Sequence, residues 1–218
     1  MLHNKKNVFW EALILTIVVF VLGIMIGVSF EKNKLDEINR YYSESDAVLM
    51  DMLALQKITD SGISNCSLVS EANLKFADRV YDEAILMEKY ETSQKISEGM
   101  EITHKKYDLL RTFLWMNSIK SRETCTKDFS VVVYLYEYNT NDLAQKAVQG
   151  VWSKVVYDLK QKEGDSMILI PIAVDTNVTS LDLLVDKFDI KSYPAIIIND
   201  EKVIYDLKTP SDLEVYLK

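Results

Sequence analysis

Apolar and polar positions follow three different patterns along this chain. Residues 8–30, VFWEALILTIVVFVLGIMIGVSF, are apolar on every side of a helix and carry one charge, Glu11. Residues 31–125 show helical spacing: Leu35, Ile38, Tyr42, Leu49, Met52 and Leu53 recur mostly at three- and four-residue steps. From residue 129 the runs shorten. Residues 130–136, SVVVYLY, read as a buried strand, and the segments beyond alternate between strand and helix patterns.

The first pattern predicts a transmembrane helix over 8–30 behind a short tail, 1–7. At ~1.5 Å per residue it reaches ~35 Å, enough to cross a hydrocarbon core with some tilt. Trp10 and Phe30 fall where interfacial aromatics are enriched. The run outlasts the apolar core of a signal peptide and no small-residue cleavage site follows it, so an uncleaved anchor is expected. The positive-inside rule does not orient it, because Lys5, Lys6 and the α-amine face Lys32, Lys34 and Arg40. Gly23 and Gly27 form a GxxxG pair that would let a second copy pack closely; lipid-facing glycines are the plainer reading.

The second pattern predicts an α-helical stalk over 31–125. The membrane helix continues to about Thr59, and 60–65 is a turn cluster. A second helix runs over about 67–96, with Leu68, Ala72, Phe76, Val80 or Tyr81, Ala84, Met87 and Glu91 along one side. Ser97, Glu98 and Gly99 break it. A third helix runs over about 101–124, striped by Tyr107, Leu110, Leu114, Trp115 and Ile119. The two stripes predict an antiparallel hairpin. His104, beside Lys105 and Lys106, is expected on a solvated face. The only cysteines, Cys66 and Cys125, are equidistant from position 95.5, the expected turn. An antiparallel hairpin sets such residues side by side, within reach of a disulfide. A redox pair and two free thiols are the alternatives. A structural disulfide implies an oxidising compartment, and so a C-terminal bulk outside the cytoplasm.

The third pattern predicts a domain over 126–218. Residues 139–142 cap a helix that carries Val148, Val151, Trp152, Val155, Val156 and Leu159. Residues 167–174 are a second strand, parallel to the first because a helical crossover joins them. A short helix over 181–188 follows, then strands 195–198 and 203–205 around the turn Asn199-Asp200-Glu201. Pro210 opens the last helix. The fold class is therefore α/β, in the order βαβαββα.

That order, with Phe188-Asp189-Ile190-Lys191-Ser192-Tyr193-Pro194 leading into Ala195-Ile196-Ile197-Ile198, resembles the minimal thioredoxin fold. The resemblance implies a cis-proline loop at Tyr193 and Pro194 and an edge position for the second strand, where Pro171 is tolerated. It also places the family's Cys-x-x-Cys at Leu143, Ala144, Gln145 and Lys146, none of which is a thiol. Thiol chemistry by this domain is excluded on that alignment, so the resemblance implies fold without activity. The chain resembles uncharacterised membrane-anchored thioredoxin-like proteins known especially from archaeal lineages, many of which keep the cysteine pair. What such a domain retains is a backbone edge beside the proline loop that pairs with an extended peptide.

Composition narrows the rest. A net charge of −8 carries no nucleic-acid footprint. Two histidines and two cysteines make no metal-ligand cluster, and neither a metal nor a cofactor is expected. Asn65 and Asn177 head glycosylation sequons. The expectation is a single-pass, non-enzymatic protein of the cell membrane whose partners are the lipid bilayer and an unidentified protein or peptide. The alternatives are an oxidoreductase-related protein using Cys66 and Cys125, and a helical oligomerisation stalk with a globular cap.

Overall fold

The computed structural model describes residues 5–62, 65–91, 98–125 and 129–217; the side chains of 5–8, 30–39, 41–42, 84–91 and 98–103 lie outside that description. The chain divides into two compact units, Met1–Ala47 and Val48–Lys218.

The first unit is formed by helix α1 (Lys5–Asp60), whose last turns, from Val48, belong to the second. Phe9–Ser29 is 21 residues long with a mean hydropathy of 2.8, and none of it is buried against protein. A helix apolar on all sides and of this length is long and apolar enough to span a membrane. The Thr16 hydroxyl donates to the Ala12 carbonyl at 2.9 Å, so its one polar side chain near mid-span is satisfied within the helix. An added Cβ at Gly23 or Gly27 would meet nothing within 4 Å. Leu35, Ile38 and Tyr42 of the expected stripe lie outside the described side chains.

The second unit is a mixed α/β assembly around a four-stranded sheet. Strands β1 (Ser130–Tyr136), β2 (Met167–Ala173), β3 (Ala195–Ile198) and β4 (Lys202–Ile204) lie in the order β2-β1-β3-β4. β1 and β2 are parallel, joined by helix α4 (Leu143–Glu163), while β3 pairs antiparallel with both β1 and β4. Helix α5 (Thr179–Lys187) follows β2, and α6 (Pro210–Glu214) closes the chain. These elements fall within two residues of the expected ones. In the three-residue β3–β4 turn Asn199 and Asp200 have φ of 56° and 61°, in the left-handed region that Asn and Asp enter more readily than other side chains.

The period-two alternation of the strands divides the core in two. Val132, Tyr134, Met167, Ile196 and Ile198 point to one face, where Trp152, Val156 and Leu159 of α4 and Leu213 of α6 cover them. Val131, Val133, Leu135, Ile168, Ile170, Ile172 and Ile197 point to the other. Helix α5 is nine residues long and brings only Leu181 and Leu184 to its buried side, too little to cover that face. The deficit is met by α2 (Cys66–Glu91) and α3 (Glu98–Thr124), through Phe76, Val80, Tyr107, Leu110, Leu114 and Trp115.

The helical hairpin is therefore a layer of the α/β unit. Where the sequence places a boundary between stalk and domain at 125/126, the core runs continuously across it. Polar contacts reinforce this. The Trp115 indole N–H donates to Asp200 at 2.9 Å, and its ring stacks on Phe188 at 5.1 Å. Arg122 donates to Asn199 at 2.8 Å and to the Phe129 carbonyl at 3.1 Å. Cys66 and Cys125 are joined by a disulfide with Cα atoms 5.4 Å apart. The expected hairpin turn near 95.5, with Ile96 and Ser97, lies outside the described residues, as do the side chains of Ala84, Met87 and Glu91. Three expectations are corrected. Glu98 and Gly99 open α3 instead of breaking a helix. Leu68 is exposed and Val80, not Tyr81, carries the stripe. Val148 and Val151 are exposed because Gln149 occupies the buried face of α4, where it bonds backbone.

Candidate functional site

Two of the segments singled out in the sequence, Leu143–Lys146 and Tyr193–Pro194, adjoin the C-terminal end of β1. Asp142 caps α4: its carboxylate accepts the N–H groups of Ala144 at 2.8 Å and Gln145 at 3.4 Å. That capping holds Leu143–Lys146 as the first helical turn, with Leu143 79% exposed. Gln145 donates to the Glu137 carboxylate at 2.7 Å and accepts from the Thr140 hydroxyl at 3.0 Å. One turn later Gln149 makes a two-way bond with the Glu137 backbone, accepting its N–H at 2.8 Å and donating to its carbonyl at 3.0 Å. The end of β1 is thereby fastened to the start of α4.

The Tyr193–Pro194 peptide bond is cis and leads directly into β3, whose Ala195 faces Leu135 of β1. Pro194 is buried and Tyr193 half-buried. Burial pushes the Tyr193 hydroxyl above its ordinary range, and the carboxylates of Glu137 and Asp182 add to the rise. Glu137 is thus bonded by Gln145 and adds to the rise at Tyr193. The surface so formed has an exposed leucine, an amide, a lysine and a tyrosine. It holds no thiol; Cys66 and Cys125 belong to the helical hairpin.

A second cluster was not legible in the sequence. His104 is buried and its ring lies 4.0 Å from that of Tyr138. The expectation of a solvated His104 fails because α3 turns that face toward the loop after β1. One turn on, the Asp108 carboxylate accepts the Ala173 N–H at 3.1 Å and the Thr176 hydroxyl at 3.0 Å. Arg111 lies over the Tyr107 ring at 3.8 Å and donates to its hydroxyl at 2.8 Å; that hydroxyl donates to the Val80 carbonyl at 2.6 Å. Burial pushes Asp108 above the usual carboxylate range, opposed by Arg111 and the bonds to Ala173 and Thr176, and it pushes Tyr107 up to about 12. The i, i+3, i+4 spacing of 104, 107, 108 and 111 is the signal. It was masked because charged residues at helical spacing usually mark a solvated face.

Beside this cluster a cavity of about 490 Å³ opens along the free edge of β2, between α2 and α4. Leu74, Ala77, Val80, Leu114, Ile168 and Ile170 form its apolar wall on one side of the sheet; Ser153, Tyr157 and Lys160 line the other. In a parallel pair, alternate residues direct both backbone groups toward the partner strand. The Val174 N–H bonds the Tyr136 carbonyl of β1, so Ala173, Pro171, Leu169 and Met167 direct theirs outward. Most of that edge is closed. The Lys160 ammonium donates to the Met167 carbonyl at 2.6 Å and to the Gly164 carbonyl at 2.7 Å. Pro171 has no N–H, and the Ala173 N–H is taken by Asp108. Among the described residues, what stays open is the N–H and carbonyl of Leu169 and the carbonyl of Pro171.

Asn65 is exposed and its side chain accepts the Leu68 N–H at 3.2 Å, capping α2; Asn177 is exposed in a loop, with φ of 58°. Among the described residues, no three His, Cys, Asp or Glu side chains are placed to hold a metal ion. No protein-family model matches the chain, and no curated protein matches it.

Proposed function

We propose that this chain is a membrane-anchored, non-catalytic member of the thioredoxin-like class that binds extended protein or peptide segments outside the cytoplasm. The observation that carries the reading is topological. The order βαβαββα, with β2 at an edge and β3 entered through Tyr193 and Pro194, sets that loop beside the start of α4. In the fold it resembles, this is where a substrate peptide lies and where thiols react; here Leu143, Ala144, Gln145 and Lys146 leave the binding role alone. The apolar Phe9–Ser29 span supports single-pass anchoring. The Cys66–Cys125 bond supports the placement of the second unit in an oxidising compartment.

The test is binding by the full chain in detergent micelles, read as fluorescence anisotropy of a labelled, cysteine-free extended peptide. Replacing Leu143 by Glu together with Tyr193 by Ala should weaken binding about tenfold, equivalent to about 1.4 kcal/mol. Turnover of a disulfide substrate through Cys66 and Cys125 would transfer the assignment to an oxidoreductase. Concentration-dependent assembly without peptide binding would transfer it to an oligomerisation device.

A further inference from the structure

The geometry points to a second binding site: the cavity on the β2 edge takes the free C-terminal carboxylate of an extended apolar peptide. This deepens the peptide-binding reading and rests on it, but it uses a different surface from the Tyr193–Pro194 loop.

The argument begins with the open backbone groups. Leu169 presents one donor and one acceptor, Pro171 one acceptor, and among the described residues none of the three has a partner. A strand added antiparallel would exchange two hydrogen bonds with Leu169 and give one N–H to the Pro171 carbonyl. It could go no further toward Ala173, whose N–H Asp108 holds. In the other direction it meets Lys160, whose ammonium stands on the Met167 carbonyl where the next partner N–H would have to be. A continuing strand is therefore stopped at Leu169, and a chain that ends there is not.

Chain direction and charge then agree. An antiparallel peptide runs with its C-terminus toward Met167. If its last residue faces Leu169, its N–H meets the Leu169 carbonyl, and its carboxylate accepts the Leu169 N–H within reach of the Lys160 ammonium. Lys160 has two carbonyl partners and, among the described residues, no carboxylate within ion-pair distance, so its charge is available to an anion. The last side chain, opposite Leu169, turns to the α4 side beside Tyr157, and the one before it meets the apolar wall from Ala77 and Val80 to Ile168 and Ile170, which suits an aliphatic residue there. Asp78 and Asp165 also line the cavity and select against a second negative charge along the peptide. The volume of about 490 Å³ is of the order a short peptide end needs.

The probe is an N-terminally labelled pentapeptide ending in three valines with a free carboxylate, titrated into the full chain in micelles. Binding should fall at least about tenfold when the carboxylate is amidated, or when the last peptide nitrogen is methylated; both leave the protein untouched. Ala77→Trp, which fills the cavity from α2, should abolish it, and Lys160→Met should weaken the acid while leaving the amide unchanged. Equal binding of acid and amide, unaffected by Ala77→Trp but lost with the Leu143→Glu and Tyr193→Ala changes, overturns this site and leaves the proposed function standing. Failure of every peptide to bind overturns both. Displacement of the peptide by decanoate at equal concentration overturns backbone pairing and makes the site one for fatty carboxylates.

Discussion

Replacing Cys66 and Cys125 together by serine should destabilise the whole Val48–Lys218 unit, by about 4 kcal/mol. The cysteines are 59 residues apart in sequence. In the chain-entropy treatment, freeing a loop of that length returns about 14 cal/mol/K to the unfolded chain, which is ~4 kcal/mol at 25 °C. Against typical domain stabilities of 5–15 kcal/mol that is a large fraction. The structure further dictates where the loss is felt. Trp115 and Trp152 are both fully buried, one on each face of the sheet, while Trp10 lies in the exposed apolar span. Each buried indole, isolated by Trp→Phe changes at the other positions, reports one core during urea unfolding in micelles. Because α2 and α3 share a core with β1, β2 and β3, both reporters should shift to lower denaturant together. A Trp115 transition that moves while Trp152 stays would refute the shared core and restore the hairpin as an independent stalk. A loss under about 1 kcal/mol would refute the constraint itself.

Asp108 is held above the usual carboxylate range by burial, so the folded chain binds its proton more tightly than the unfolded chain. Stability associated with this group is therefore greatest in acid and declines as pH rises through its folded value. Asp108→Asn should flatten that part of the curve, and parallel pH profiles of unfolding for variant and parent would contradict it. Pro171→Val restores an outward N–H on β2 beside the open Leu169 groups, and the longer edge should associate; light scattering that stays monomeric across a concentration series would count against the closed-edge account. Asn199 lies in the turn between β3 and β4, yet its side chain bonds Arg122, the Val131 N–H and the Tyr216 carbonyl. Asp158 on the exposed side of α4 is the better place for a topology probe. Asp158→Cys should react with a membrane-impermeant alkylating reagent in intact cells, and labelling only after lysis would reverse the orientation.

The strands were legible because their signal is local. A run such as Ser130–Tyr136 is β-branched and aromatic throughout, and a central strand covered on both faces requires that. Pro171 marked the edge for the same kind of reason, since a missing N–H is tolerated only where no ladder bond is owed. The partner of an apolar stripe is not local. Phe76, Val80, Leu110 and Leu114 announce that α2 and α3 bury one side, but an opposite helix and a β-sheet satisfy that demand equally well. The information that α5 is too short to cover its sheet face was in the sequence as well, in nine residues with two buried leucines.

The site shows the same limit from the polar side. His104, Asp108 and Arg111 look like the solvated flank of an amphipathic helix, because polar residues at helical spacing usually are. Their burial follows from what they meet: the backbone of β2 ends there, and an unpaired N–H at Ala173 has to be bonded by something. Asp108 answers that need, as Lys160 answers it at the Met167 carbonyl. These two charged residues are thus explained by the strand edge they close, and Leu169 stands out as the position between them that no described residue closes. A residue's polarity states that it must be satisfied; only the topology states by whom. An edge strand capped at both ends and left open at its middle is specified at the level of strand order, which is where single-sequence reading loses resolution and where the candidate peptide site lies.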